Sequence, residues 1–138
     1  MAARRDERGV FREEVQSVQR GSVEVAAAVI AAAASLSGDV DLGGDGARQL
    51  VGLQLPAAWT AASLTFAVSA DGEAYVPLFW GGAEYTVEAA GGAAASSGVS
   101  LEPAAFASWP FVRVRSGTAA APVNQAAERT LQALTRAV

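Results

Sequence analysis

Hydrophobic and polar residues alternate in short runs along most of the chain. From Val23 onward these runs are separated by Gly-, Pro- and Asp-containing breaks at intervals of about ten residues, the spacing of strands and turns in a sandwich or barrel. The first run, Ser22–Ala33, reads as a strand. In Ser35–Leu42 the even spacing of Leu36, Val40 and Leu42 places all three on one face of an extended segment. Gly43-Gly44-Asp45-Gly46 turns the chain, and Gln49–Leu55 is apolar enough for a core strand that Pro56 closes. Ser63–Ser69 alternates Leu64, Phe66 and Val68, and Asp71-Gly72 is the strongest turn signal present. Together with a return strand over Glu73–Trp80 they predict a hairpin. Gly81-Gly82 turns again into Glu84–Ala89, and Gly91–Gly98 reads as an exposed loop. After it come a short strand at Val99–Glu102, an irregular or one-turn helical corner at Pro103–Trp109, and a clean alternation at Phe111–Ser116. A Pro- and Ala-rich loop, Gly117–Gln125, leads to the last element, Glu128–Arg136. There Leu131 and Leu134 suit a helix while Thr130 and Thr135 suit a strand; the regular strand spacing favours the strand.

The expectation is an all-β protein: an antiparallel β-sandwich, jelly-roll-like, of eight or so strands over residues 22–138. Residues 1–21 form a separate N-terminal arm, helical or extended. In the arm, Phe11, Val15 and Val18 recur at i, i+4 and i+7, one stripe of a short helix. Three apolar side chains bury little area. Such a segment either frays or docks on another surface, and docking would make these three residues an assembly contact.

Composition adds to this pattern. The 138 residues are 51% hydrophobic, but 33 of those residues are Ala, and the larger apolar side chains suffice for one core. The Ala runs would favour helix on propensity alone, against which the Gly content and turn spacing weigh. Cys, His and Lys are absent, so every positive charge is Arg. That inventory excludes disulfides, Cys or His zinc sites, Ser-His and Cys-His nucleophiles, Schiff-base Lys and a P-loop Lys. The net charge is −4. It divides into a mixed-charge arm at +1 and an acidic body at −5, with no basic stripe of the kind nucleic acid requires. The apolar run Val25–Ala34 has ten residues, half of what a spanning helix needs (about twenty). Acidic residues precede it, unlike a secretory signal. A soluble chain of cytoplasmic origin, with neither membrane nor nucleic acid as partner, is expected.

Candidate chemistry is sparse. Asp39, Asp41 and Asp45 begin like a calcium loop, but Gly43 and Leu50 occupy positions where such a loop needs ligands, and a solvated turn is the expected reading. No metal site and no cofactor are expected. No pair of the fourteen acids stands out as a glycosidase couple, so no catalytic residue is assigned and a non-enzymatic protein is expected. Trp59, Trp80 and Trp109 each lie near a strand end, where a core edge wants a large side chain or where an exposed ring stacks on a sugar. Trp59 and Trp80 are the candidate sugar contacts, Trp80 first because it precedes Gly81-Gly82. Arg113 and Arg115 read as a solvated strand face, or as partners for a neighbour's acids at an oligomer contact.

Two stretches carry a family likeness, QLVGLQLPAAWTAASLTFAVSADGEAYVPLF and LEPAAFASWPFVRVRSGTAAAPVNQAAERTL. The features are a strand ending in Pro56, Ala58–Ala61, the Leu64–Gly72 motif LTF…S-x-DG, the corner Leu101, Pro103 and Phe106, and above all Val112–Ala127. Over about two-thirds of its length the chain resembles small structural proteins of tailed phages, prophages and gene transfer agents. With fewer residues, the S-x-DG hairpin and the V-R-V strand resemble discoidin-type, galactose-binding-like jelly rolls. The first resemblance implies a virion component at the particle surface, a head spike or spike base on a capsid vertex linked to adhesion to host polysaccharide. Its implied partners are further copies of itself (a homopentamer or other cyclic oligomer), the capsid protein, a spike fibre protein and host polysaccharide. A carbohydrate-binding module and a tail- or baseplate-associated sandwich are the alternatives.

Overall fold

The computed structural model describes residues 23–43, 47–89 and 93–138, together with the backbone of a short parallel pair, β1 (Asp6–Glu7) and β2 (Gly9–Val10). The arm positions Phe11, Val15 and Val18 lie outside the described residues.

Eight strands build the body. In chain order they are β3 (Val23–Ile30), β4 (Val40–Asp41), β5 (Arg48–Gln54), β6 (Leu64–Ser69), β7 (Val76–Pro77), β10 (Gly98–Ser100), β11 (Phe111–Ser116) and β12 (Arg129–Ala137). One sheet has the order β10-β5-β12-β3 and the other β4-β11-β6-β7, with antiparallel neighbours throughout. Counted along the body, the first strand therefore pairs with the eighth, the second with the seventh, the third with both the sixth and the eighth, and the fourth with both the fifth and the seventh. That wiring is the eight-stranded jelly roll, two Greek keys closed into a double sheet. A further two-residue pair, β8 (Phe79–Trp80) and β9 (Ala83–Glu84), stands outside both sheets.

The sequence folds this way because its alternation is real where it is cleanest. Along β11 burial alternates residue by residue, with Val112 and Val114 inward and Arg113 and Arg115 outward. The last element is a strand: Leu131, Ala133 and Thr135 face inward between β3 and β5. Phe66, Phe106, Ile30, Leu42, Leu50 and Leu131 are the large side chains at the centre. Phe66 meets Phe106 edge-on at 5.0 Å and Tyr85 at 5.7 Å between ring centroids. β6 is buried on both faces. Its outer face lies between the neighbouring strands, with Thr65 opposite Arg115 and Ala67 between Arg113 and Pro77.

Several expected boundaries move, each for a local reason. The first strand stops at Ile30 rather than Ala33. Ala33 takes a left-handed φ of 63° while its N–H donates to Gln125 C=O at 2.9 Å, which turns the chain out of the sheet. Ser35–Leu42 is not one strand. Leu36 bridges to Arg115 and Ser37 to Ile30, so the segment crosses between the sheets, and only Val40 and Leu42 share the core while Leu36 is half-buried. Asp71-Gly72 sits inside a longer connection, and the return strand pairs with β6 only over Val76–Pro77. Asp71 organises that connection: its Oδ1 accepts N–H bonds from Glu73 (2.9 Å) and Ala74 (3.1 Å) and the Ser69 hydroxyl at 2.9 Å. These bonds hold the Asp71 carboxyl below the usual carboxylate range, the Glu73 N–H contributing most. The expected strand Glu84–Ala89 reduces to Glu84 within β9 and one bridge from Val87 to Leu64.

One end of the sandwich is tied by a single residue, through its side chain and its backbone. Gln125 is fully buried; its amide accepts from Thr60 N–H (2.8 Å) and Arg129 Nε (3.2 Å) and donates to Thr60 C=O (3.0 Å) and Ser116 Oγ (2.9 Å). Its backbone exchanges bonds with Ala33 and Ala34. Three connections, β3–β4, β5–β6 and β11–β12, meet there. The opposite end carries Val23, which pairs with Arg136, and Val138, whose N–H donates to Ala47 C=O.

Candidate functional site

The outermost strand of the second sheet is interrupted, and the interruption makes the most exposed aromatic feature of the described residues. After Pro77, Leu78 is buried and donates its N–H to Phe66 C=O; the chain then leaves the sheet and returns where Tyr85 N–H donates to Leu78 C=O and Val87 rejoins Leu64. The excursion between is the β8–β9 hairpin. Its two-residue turn, Gly81-Gly82, has φ of +70° and +90°, the conformation of the tight hairpin turn that matches strand twist and that L side chains resist. The hairpin carries Phe79 and Trp80 outward, 62% and 49% exposed.

Its base is fixed by polar contacts. Glu84 Oε2 lies 3.4 Å from Arg115 Nη1 and accepts Ala119 N–H at 3.1 Å, and the residue is half-buried. Tyr85 packs against the core with its hydroxyl accepting Glu102 N–H at 2.8 Å, and Thr86 Oγ1 donates to Glu84 C=O at 3.0 Å. An open groove of about 460 Å³ runs beside the hairpin, lined by Trp80, Glu84, Tyr85, Thr86, Val87, Glu88, Val99 and Ser100. Two aromatic residues, Trp80 and Tyr85, two acids and three hydroxyl-bearing residues thus line one open surface. A larger depression of about 610 Å³ lies over Gly52 and Leu134, but no aromatic side chain lines it.

The two candidate sugar contacts are separated in kind. Trp80 stands at the lip of the groove, whereas Trp59 is half-buried against the core, with its indole N–H buried and without an acceptor among the described residues. Trp109 also packs against the core. Phe79 is the aromatic residue that sequence reasoning passed over. Its neighbour in the run Phe79-Trp80-Gly81-Gly82 was signal enough, since a two-residue hairpin places both aromatics clear of the sheet.

Arg113 and Arg115 are not idle. Arg113 Nε and Tyr75 Oη both donate to Asp39 Oδ1, each at 2.6 Å, and the guanidinium carbon lies 4.1 Å from the Tyr75 ring centroid. The Tyr75 hydrogen bond, then that of Arg113, lowers the Asp39 carboxyl from its ordinary value. Partial burial, with Asp39 beside it, pushes the Tyr75 phenol up to about 12. Asp39 therefore belongs to an ion-pair cluster on the outer face of β11. Among the described residues no group of three or more acids is placed to hold a metal ion.

No protein-family model matches the chain, and no curated protein or solved structure matches it.

Proposed function

We propose that the protein is a non-enzymatic structural component of a phage-like particle or gene transfer agent, a capsid-vertex head spike or spike base that displays its β8–β9 hairpin to host surface polysaccharide. The observation that carries this reading is Trp80, half-exposed beside the Gly81-Gly82 turn at the lip of a groove lined by acidic and hydroxyl-bearing residues. Sugar sites combine such an apolar ring face with a few polar groups that fix orientation. The jelly-roll wiring supports the reading as analogy, since viral capsid and lectin domains share it. A chain without His, Cys or Lys fits a display role better than a catalytic one.

In this reading residues 1–21 anchor the body on the particle through Phe11, Val15 and Val18, with the capsid protein as the expected receiving surface. Two experiments test it. Titration of the protein with host capsular polysaccharide, followed by tryptophan fluorescence, shows saturable binding that Trp80→Ala weakens at least about ten-fold, roughly 1.4 kcal/mol, while Trp59→Phe leaves it unchanged. Deleting Ala2–Arg20 abolishes incorporation into particles and leaves the body folded. Absence of binding at millimolar sugar removes the adhesive role; undiminished incorporation of the truncated chain removes the anchoring role.

A further inference from the structure

Outer strands of a sheet expose unpaired backbone groups, and soluble β proteins guard them with short length, Pro, Lys or bulges. Three of the four outer strands here obey that rule. β4 has two residues, β10 has three, and β7 has two, one of them Pro77. The fourth, β3, does not. It runs for eight residues, Val-Glu-Val-Ala-Ala-Ala-Val-Ile, and its outward positions Val23, Val25, Ala27 and Val29 are all exposed, Val25 by 61%. β12 pairs with one side of it, and among the described residues no strand pairs with the other.

The direction of its backbone groups follows from one hydrogen bond. Gly38 N–H donates to Val29 C=O at 3.1 Å from the side away from β12. Successive residues of an antiparallel strand direct their N–H and C=O to opposite sides, so those of Val23, Val25 and Ala27 also point away from β12.

We infer that β3 pairs with β3 of a second copy of this chain, antiparallel across a two-fold axis, with Val25 opposite Val25 and Val23 opposite Ala27. This register uses every outward-directed group of Val23, Val25 and Ala27, two bonds for each of three facing pairs, and stops short of Val29, whose carbonyl is taken. It sets outward positions against outward positions, so both copies place Val23, Val25 and Ala27 on one face. That apolar face continues on each side into Leu134, the β12 neighbour of Val25. The strand has one charge, Glu24, which lies 3.7 Å from Arg48 of its own chain; the register sets it opposite Ala26, so no acid directly faces an acid. A neutral, apolar, self-complementary edge fits a second copy better than a charged partner. The contact is isologous and closes at two copies, so it does not build a five-membered ring.

The chain has no cysteine, so Val25→Cys introduces a single thiol. With a short bismaleimide it gives a covalent dimer in high yield, while Glu73→Cys, an exposed position in the β6–β7 connection, does not. In sedimentation at about 50 μM the wild-type chain runs at twice its chain mass. Val25→Lys, which faces two cations across the axis, and Ala27→Pro, which removes an N–H aimed at the partner and none aimed at β12, both run as monomers with unchanged circular dichroism. Each weakens association by about 100-fold or more. A wild-type monomer, a dimer indifferent to both substitutions, or equal cross-linking from positions 25 and 73 overturns the inference. So does a monomer whose Val23, Val25 and Ala27 amides resist hydrogen exchange, which would place another segment of the chain on that edge.

Discussion

Replacing Gln125 by Leu removes the amide that ties the β5–β6 connection to the ends of β11 and β12, while keeping nearly the same side-chain volume and the backbone bonds to Ala33 and Ala34. The cost is then one of hydrogen bonding rather than of a cavity. Four hydrogen bonds are lost, to Thr60 N–H, Thr60 C=O, Ser116 Oγ and Arg129 Nε. At about 0.5–1.5 kcal/mol each the sum would be about 2–6 kcal/mol. Thr60 and Arg129 are half-exposed and regain water as a partner, and Ser116 Oγ keeps its bond to Val123 C=O. These recoveries bring the expected loss to about 3 kcal/mol, a large share of the 5–15 kcal/mol that holds a domain folded. For 138 residues an unfolding entropy of about 0.3 kcal/mol/K turns that loss into a fall in Tm of about 10 °C. Urea unfolding followed by tryptophan fluorescence, repeated by thermal circular dichroism, measures it. A loss below about 1 kcal/mol would refute the argument that this side chain holds the loop end together.

Gly117→Ala is expected to cost more than about 3 kcal/mol. Gly117 sits at φ +89°, and a Cβ would lie 2.6 Å from Ala121 O and Val123 N, backbone atoms that cannot yield. Gly38→Ala meets open space and stays neutral or gains up to about 1 kcal/mol; chemical denaturation compares the two. Tyrosinate absorbance at high pH in a Tyr85→Phe background should rise only near pH 12, because Tyr75 is held neutral there. Stability from this cluster is complete below the unfolded tyrosine value of about 10 and declines as pH climbs from there toward 12. At the acidic end the lowered Asp39 carboxyl supplies stability that is present above the ordinary carboxylate value of 3.8 and disappears as pH falls through its lower folded value. Asp39→Asn flattens that acid limb of a pH–stability profile, and an unchanged limb would contradict the assignment.

The architecture was legible where alternation and turn chemistry agreed. Phe111–Ser116 matches β11 at both ends because Val and Arg alternate between core and solvent with nothing to interrupt them. Leu131 and Thr135 resolved as strand positions once β3 and β5 flanked them. The misjudged boundaries depend on partners distant in sequence. Nothing in Ala31–Ala34 announces a turn; the backbone of Gln125 imposes it from more than ninety residues away. Likewise the interruption after Leu78 is visible only when Val87 is seen to resume pairing with Leu64. Of the two tryptophans, the exposure of Trp80 was readable from Gly81-Gly82. Trp59 was ambiguous because a strand-end tryptophan has the same sequence context whether it packs inward or outward. The stretch Val112–Ala127 includes Gln125 and Gly117, and both have structural duties in the fold.

The wiring of the sandwich gives it a direction. Val23 and Val138 sit at the end opposite Gln125, while the β8–β9 hairpin is clamped through Glu84 to Ala119, in the connection that contains Gln125. The six-to-nine-residue strands between span roughly 20–30 Å at 3.3 Å per residue. A bead, a chip or a fused scaffold coupled through Val138 would therefore sit a strand's length from the connections that Gln125 joins and leave that end of the sandwich facing the medium.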